Sequence, residues 1–134
     1  MCIRDSCQTV GITSTGTNSA LDTIRGAEEL ANRDCIATLI LGGDGTSRAF
    51  VKGWRDAVML PLSTGTNNVF PRMSEATVAG MALGILAAGG VSLEETAVPV
   101  KIIDVEIEGE SPDIALIDAV VTTCLLYTSD AADE

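Results

Sequence analysis

The stretch of the sequence best suited to chemistry is Gly42-Gly43-Asp44-Gly45-Thr46. Glycines let a backbone approach a ligand closely and adopt positive φ angles, and a helix that follows them offers N–H groups to a phosphate. A carboxylate repels phosphate, so a loop that only bound phosphate would gain nothing from Asp44. A loop that transfers phosphate to a hydroxyl can use the aspartate to accept the hydroxyl proton or to hold a metal ion. The alternative is an ordinary strand–turn–helix corner with an aspartate turn residue.

A second polar loop, without a cation, follows later in the chain: Ser63, Thr64, Gly65, Thr66, Asn67 and Asn68. Each loop follows a short apolar run that is typical of a strand buried in a parallel sheet. Because ligands bind at the carboxyl ends of neighbouring strands in open α/β sheets, the two loops are expected to share one crevice. A polar connection rich in turn formers is the alternative. The sequence contains neither G-x-x-x-x-G-K-[ST] nor G-x-G-x-x-G, so it has no P-loop and no standard dinucleotide fingerprint.

The helices and strands that position these loops can be predicted from the periodicity of the apolar residues and from the positions of glycine and proline. A helix, a strand, a helix and a strand are predicted over residues 18–33, 35–41, 46–54 and 57–62. A further helix is predicted from a Ser74 cap to about Ala88, ending at Gly89-Gly90. The spacing of Gly80 and Gly84 predicts that this helix packs closely on the sheet.

The pattern changes after about residue 90. Residues 100–108 alternate between apolar and polar side chains, and a turn at Glu108-Gly109-Glu110 precedes a second predicted strand over 114–123. We therefore expect an α/β domain over residues 7–90, built from a parallel sheet with flanking helices. The start of an antiparallel β domain is expected over residues 91–123.

Both ends of the chain resemble translated sequencing-adapter read-through. We expect residues 1–6 and 124–134 to be non-native, the α/β domain to be truncated at its N-terminus and the β-rich domain to be truncated as well. A natural N-terminus and an acidic tail are the alternative.

Composition narrows the classes of function. Eight basic residues against 19 acidic ones give a net charge of −11, which argues against a nucleic-acid or anionic membrane surface. The absence of histidine excludes Ser-His-Asp and Cys-His catalysis, and no metal-ligating cluster is predicted. Four cysteines without a C-x-x-C pair indicate neither a disulfide framework nor a zinc ribbon, so a cytoplasmic setting is expected.

The two loops together resemble a known superfamily. G-G-D-G-T followed by L-P-L-S-T-G-T-N-N-V-F-P is similar to the kinases that include NAD kinases, diacylglycerol and sphingosine kinases and 6-phosphofructokinases. The amino-acid sequence of the second loop is most similar to the ATP-NAD kinase-like group that contains the acetoin catabolism protein X. The resemblance covers about residues 9–123. It implies an NAD kinase-like α/β domain, a nucleotide in the cleft before a β-rich domain, and ATP with Mg²⁺ as cofactors.

The resemblance also implies roles for individual residues. Asp44 would activate or orient the acceptor hydroxyl, and Asp118 would bind the substrate at its ribose. The cofactor-binding residues that it implies are Gly42, Gly43, Gly45, Thr46, Thr64, Gly65, Thr66, Asn67 and Asn68. Ile117 stands where NAD kinases place an asparagine, which departs from the NAD-binding pattern. An outward-facing residue on an antiparallel strand is the alternative for Asp118.

The leading hypothesis is therefore a small-molecule kinase that transfers a phosphoryl group from ATP to a hydroxyl acceptor, with NAD as one candidate acceptor. The 134-residue chain by itself is expected to be inactive. The alternatives are a catalytically silent nucleotide-binding regulator of acetoin-type catabolism and a diacylglycerol-type lipid kinase. The expected partners are small nucleotides and, in the full-length protein, further copies of itself, but neither nucleic acid nor membrane.

Overall fold

Short helices and strands alternate along the chain. The computed structural model describes residues 11–12, 16–65 and 68–122. In chain order the elements are α1 (Ala20–Ala31), β1 (Thr38–Gly42), α2 (Asp44–Gly53), β2 (Met59–Ser63), α3 (Ala76–Ala87), α4 (Leu93–Thr96), β3 (Ile103–Val105) and β4 (Asp113–Ala115). The chain divides into two compact units between Val100 and Lys101.

A pair of parallel strands carries both polar loops. β1 pairs with β2 over their whole length, and Gly42 stands opposite Ser63 at the end of the ladder. α2 connects the two strands, as a parallel pair requires. Because parallel strands end at the same edge, the loops that follow Gly42 and Ser63 start side by side. The expected mixed α/β class, with helices around a parallel pair and a separate antiparallel pair, is confirmed.

The first unit is held together by a small apolar core. Ala27 of α1, Ile40 of β1 and Phe50 of α2 are buried in one cluster, so α1 and α2 pack with β1 around it. The Trp54 ring packs near Phe50, with centroids 6.3 Å apart in a tilted arrangement. Half-buried apolar residues complete the cluster: Leu30, Trp54, Ala57 and Met59.

α1 and α2 are in close contact at Gly53, the last residue of α2. A Cβ atom on Gly53 would overlap the Ile24 carbonyl oxygen and would lie 2.9 Å from the Ala27 Cβ atom. The backbone of α1 therefore occupies the space of a side chain at position 53. Glycine is required here because of close packing between helices.

The N-terminus of α1 is capped from both directions. The Ser19 hydroxyl accepts the Leu21 amide, while Asp22 reaches back to accept the amides of Thr17 and Asn18 at 2.8–2.9 Å. The Thr17 hydroxyl donates to the same carboxylate. These hydrogen bonds, above all the one from the Thr17 amide, lower the pKa of Asp22 below its ordinary value of 3.8.

The surroundings of α3 differ from the prediction. A Cβ atom on Gly80 or Gly84 would meet nothing within 4 Å, so the expected close packing of these glycines on the sheet is wrong. The helix buries Ala79 and half-buries Leu83 and Leu86, which places the glycines away from the packed side.

The two ends of α3 give one correction and one confirmation. The N-cap is Glu75 without a side-chain hydrogen bond, rather than Ser74. The predicted end at the glycine pair is confirmed: Gly89 has φ +71°, and the amides of Gly89 and Gly90 donate to Leu86 and Ile85, a Schellman motif. No helix in the described ranges is long and apolar enough to cross a membrane.

The second unit contains an antiparallel pair. Ile103 stands opposite Ala115 and Val105 opposite Asp113, so the predicted change to antiparallel pairing is confirmed. The strands are shorter than the predicted 100–108 and 114–123, because only three residues of each form the ladder. Longer strands would add little stability to a two-stranded ladder, because the pair itself does not cover its own apolar face.

Gly53→Ala is expected to destabilise the chain by about 1–3 kcal/mol, because the new methyl group meets α1 backbone that cannot move aside. Gly84→Ala is the matched control: its methyl group enters open space on an exposed helix, so stability should stay constant or rise by up to about 1 kcal/mol. Urea unfolding of both variants measures the difference. Equal effects would contradict the packing of α1 on α2 described above.

Asp22→Asn should reveal the α1 cap through pH. The folded-state pKa lies below the ordinary 3.8, so the carboxylate stabilises the fold above that pH and the contribution disappears as the pH falls through the lower folded-state value. The gap in thermal midpoint between the native chain and the variant should therefore narrow on acidification below 3.8. A gap that is independent of pH would show that the charge of Asp22 does not act through this cap.

Candidate functional site

The candidate site begins where β1 and β2 end. The Thr64 amide donates to the Gly42 carbonyl at 3.3 Å, which continues the pairing one residue beyond the Gly42–Ser63 register position. The first loop leads directly into α2, whereas the described residues of the second loop after β2, 64–65 and 68–70, form neither helix nor strand. The two predicted loops are therefore neighbours from their first residues onward.

The N-terminus of α2 lies at this edge of the sheet. Gly43 is the N-cap, and its carbonyl accepts both the Ser47 amide at 3.1 Å and the hydroxyl of the fully buried Ser47 at 3.2 Å. The amides of residues 44–46 come before the first intrahelical donor and point out of the helix end. Gly45 is exposed, and a Cβ atom there would meet nothing within 4 Å. This end of α2 offers N–H groups and a positive dipole to an anion.

The Asp44 carboxylate joins the first loop to the second. Its Oδ1 atom accepts the Phe70 amide at 2.8 Å, and both of its oxygens accept the Val69 amide at 3.1 Å. Hydrogen bonds to a charged acceptor are stronger than neutral ones. Asp44 therefore fixes the end of the second loop to the first turn of α2.

Asn68 fills the space between the two loops. Its side-chain amide donates to the Ser63 hydroxyl at 2.9 Å, and that hydroxyl donates to the Gly65 carbonyl at 3.1 Å. A Cβ atom on Gly43 would lie 2.7 Å from Asn68 Oδ1, and one on Gly65 would lie 3.1 Å from Asn68 Nδ2. One side chain is thus enclosed by glycine backbone from both loops.

Three glycines of the loops, Gly42, Gly43 and Gly65, serve close packing and not unusual backbone angles. Within the described ranges positive φ occurs at Asn18, Asp34, Gly89 and Gly109, so the expectation of positive φ in the loops is wrong for the glycines that the structure describes. A Cβ atom on Gly42 would lie 2.6 Å from Thr46 Cβ. Gly42 therefore makes room for Thr46 as Gly43 makes room for Asn68.

The structure brings most of the predicted loop residues to one edge of the parallel pair: Gly42, Gly43, Asp44, Gly45, Thr46, Thr64, Gly65 and Asn68. Thr66 and Asn67 lie outside the described residues. Asp118 belongs to the second unit, where it is exposed three residues after β4. It therefore does not stand on an antiparallel strand, as its alternative interpretation expected.

Sequence reasoning missed three groups that assemble the loops: the Ser63 hydroxyl and the backbone amides of Val69 and Phe70. Ser63 was visible as the polar residue that ends an apolar strand. The two amides had no signal in the sequence, because a backbone donor exists at every residue except proline.

The loops offer few ligands to a bare metal ion. The structure's described ranges contain no group of three or more Cys, Asp or Glu side chains that could hold one. Asp44 is the single acidic residue in the two loop sequences 42–46 and 63–68. This donor set fits a Mg²⁺ ion that keeps its waters and is bound through one carboxylate and the phosphates of a ligand.

Comparison with known proteins identifies one similar relative. The chain is 40% identical over 105 residues to the acetoin catabolism protein X of Cupriavidus necator, and the match covers 75% of this chain. It covers 29% of the relative, so the chain spans less than a third of that protein's length. No protein-family model and no solved structure matches the chain. The similarity supports the expected relationship to the acetoin catabolism protein X group, while membership of the wider NAD kinase superfamily stays a prediction.

Asp44→Ala is expected to destabilise the chain by about 1–3 kcal/mol, because it removes the acceptor of the Val69 amide and of the half-buried Phe70 amide. Asp44→Asn keeps one oxygen that can accept both amides, so its cost should be smaller. Asp56→Ala, at an exposed aspartate after α2, controls for the loss of a negative charge. Urea midpoints that are the same for Asp44→Ala and Asp56→Ala would show that the loop contact is energetically unimportant.

Proposed function

We propose that this chain carries the nucleotide-binding loops of an ATP-dependent small-molecule kinase of the ATP-NAD kinase-like type. The reaction is transfer of the γ-phosphoryl group of Mg-ATP to a hydroxyl acceptor. The observation that carries the proposal is the contact between the loops: Asp44, at the first turn of α2, accepts the amides of Val69 and Phe70 from the second loop. One edge of the sheet thereby presents a carboxylate beside an anion-binding helix end.

Phosphate binding at this edge relies on neutral donors. Neither loop sequence contains lysine or arginine, so the amides at the start of α2 and the loop hydroxyls provide the direct contacts. Arg48 of α2 and Arg72 are neighbouring cations that would add charge. The Arg72 backbone pairs with β2 beside Ser63, and the residue is exposed. Mg²⁺ supplies the remaining neutralisation when it arrives with the triphosphate.

Asp44 has two possible tasks in this proposal. As a proton acceptor, it takes the proton of the acceptor hydroxyl while that oxygen attacks the γ-phosphorus and the bond to the leaving ADP breaks. As a positioning group, it keeps the loops together and orients the hydroxyl. The amides of Val69 and Phe70 hold the carboxylate in a fixed orientation. Oδ1 accepts both amides, whereas Oδ2 accepts the Val69 amide alone and keeps a lone pair for a further contact.

NAD is the candidate acceptor suggested by the resemblance, with Asp118 at its ribose. Ile117 occupies the position of the expected asparagine, which favours an acceptor other than NAD. A cytoplasmic, homo-oligomeric full-length protein forms part of the same proposal.

A second candidate function is a catalytically silent nucleotide-binding regulator. One observation favours it: the Asp44 carboxylate already accepts three hydrogen-bond contacts from the second loop, as a purely structural aspartate would. The name of the similar relative refers to acetoin catabolism, so the regulated process would be catabolism of that type.

The Asp44→Asn substitution distinguishes the kinase from the silent regulator. It should be made in a full-length protein, as long as the relative, that contains this segment. The variant retains the shape of the turn but loses basicity, so nucleotide affinity should persist while single-turnover phosphoryl transfer falls by about 10²–10⁴-fold. Calorimetry gives the affinity and rapid quench gives the rate. Nucleotide binding without turnover in the unmutated protein would favour the silent regulator, and an undiminished rate in the variant would remove Asp44 from the chemistry. Failure to bind Mg-ATP would contradict both candidates.

A further inference from the structure

We propose that Asn68 is a positioning residue that sets the distance between the two loops, and that its uncharged amide keeps the N-terminus of α2 available to the phosphates of a nucleotide. The phosphate part of this inference rests on the proposed function. The positioning part depends on the described contacts alone.

Asn68 is held both at its side chain and at the backbone that follows it. Its amide donates to the Ser63 hydroxyl at the end of β2. The next two residues, Val69 and Phe70, donate their amides to Asp44. Because the backbone after Asn68 is fixed to α2 and its side chain is fixed to β2, the residue cannot leave the gap without breaking hydrogen bonds at one end or the other.

Asn68 leaves little space for a side chain at the glycines beside it, least of all at Gly43. Asn68 Oδ1 would lie 2.7 Å from a Cβ atom on Gly43, and Asn68 Nδ2 would lie 3.1 Å from a Cβ atom on Gly65. Real Cβ atoms almost never approach another atom within 3.0 Å, so an alanine at position 43 would displace the Asn68 side chain from its place between the loops. The separation of the loops therefore depends on the pair formed by Gly43 and Asn68.

The charge of residue 68 matters because of where Gly43 stands. Gly43 is the N-cap of α2, so Asn68 Oδ1 lies beside the positive end of the helix. A carboxylate at this place would be attracted by the helix dipole and would compete with a phosphate for it. It would also add a second negative charge close to that of Asp44. An amide has almost the same shape as a carboxylate and avoids both effects.

A double-mutant cycle on the 134-residue chain tests the positioning role. Gly43→Ala should lower the urea midpoint, and in the background of Asn68→Ala, where the space is vacant, it should lower the midpoint by less than half as much. Gly45→Ala, whose Cβ atom meets nothing within 4 Å, is the control and should cost the same in both backgrounds. Equal losses for Gly43→Ala in the two backgrounds would overturn the positioning role.

A series of ligands with decreasing charge tests the phosphate role. In Asn68→Asp, affinity for ATP should fall by at least about tenfold, and the loss should shrink through ADP and AMP to less than about twofold for adenosine. Asn68→Ser removes the amide without adding a charge, so its losses should not depend on the number of phosphates. Losses in Asn68→Asp that are equal for all four ligands, or absent, would overturn the phosphate role.

The two experiments fail in different ways. A full-length protein with the native segment that binds none of the four ligands would refute the proposed function and the phosphate role together. The cycle on Gly43 and Asn68 would still decide the positioning role, because unfolding is measured without a ligand.

Discussion

The hydrogen bonds from the Val69 and Phe70 amides to the Asp44 carboxylate connect parts of the chain that are 25 and 26 residues apart. The parallel pairing of β1 with β2 brings the starts of both loops together, but it extends no further than the hydrogen bond from the Thr64 amide to the Gly42 carbonyl. Beyond that point a polar loop gains nothing from apolar burial and loses entropy when it is ordered. A charged acceptor at the first turn of α2 supplies the interaction that orders the end of the second loop.

This arrangement explains how a carboxylate can stand at a helix end suited to phosphate. Asp44 is in the first turn of α2, where a negative charge is favourable even before any ligand binds. Its charge is shared with two amides of the second loop, so the repulsion that it exerts on an incoming phosphate is reduced. In the proposed kinase, the same contacts that stabilise the fold would hold the carboxylate ready beside the transferred phosphoryl group.

Sequence patterns predicted the features that depend on neighbouring residues. They did not predict the contacts with backbone groups that are distant in the sequence. The apolar runs before Gly42 and Ser63 were sufficient to predict two parallel strands, and the Gly89-Gly90 pair was sufficient to predict the end of α3. α2 begins at Asp44, earlier than the predicted residue 46, because Gly43 acts as the cap.

The reasons for individual glycines were not predictable in the same way. Gly43 and Gly53 are required by Asn68 and by the α1 backbone respectively, whereas Gly80 stands in open space. The sequence alone does not distinguish these glycines, because the role of each one depends on the residues that surround it in the folded chain. The contact of Asp44 with the Val69 and Phe70 amides was likewise not predictable, since it joins residues 25 and 26 positions apart through backbone donors.

The central claim is that Asp44 orders the second loop, and amide hydrogen exchange at Phe70 measures this contact directly. In the native chain the Phe70 amide should exchange at least about tenfold more slowly, after correction for intrinsic rates, than the exposed Gly45 amide at the start of α2. The difference should disappear in Asp44→Ala while exchange within the Ala27–Ile40–Phe50 core stays slow. Equal exchange at Phe70 and Gly45 in the native chain would contradict the account.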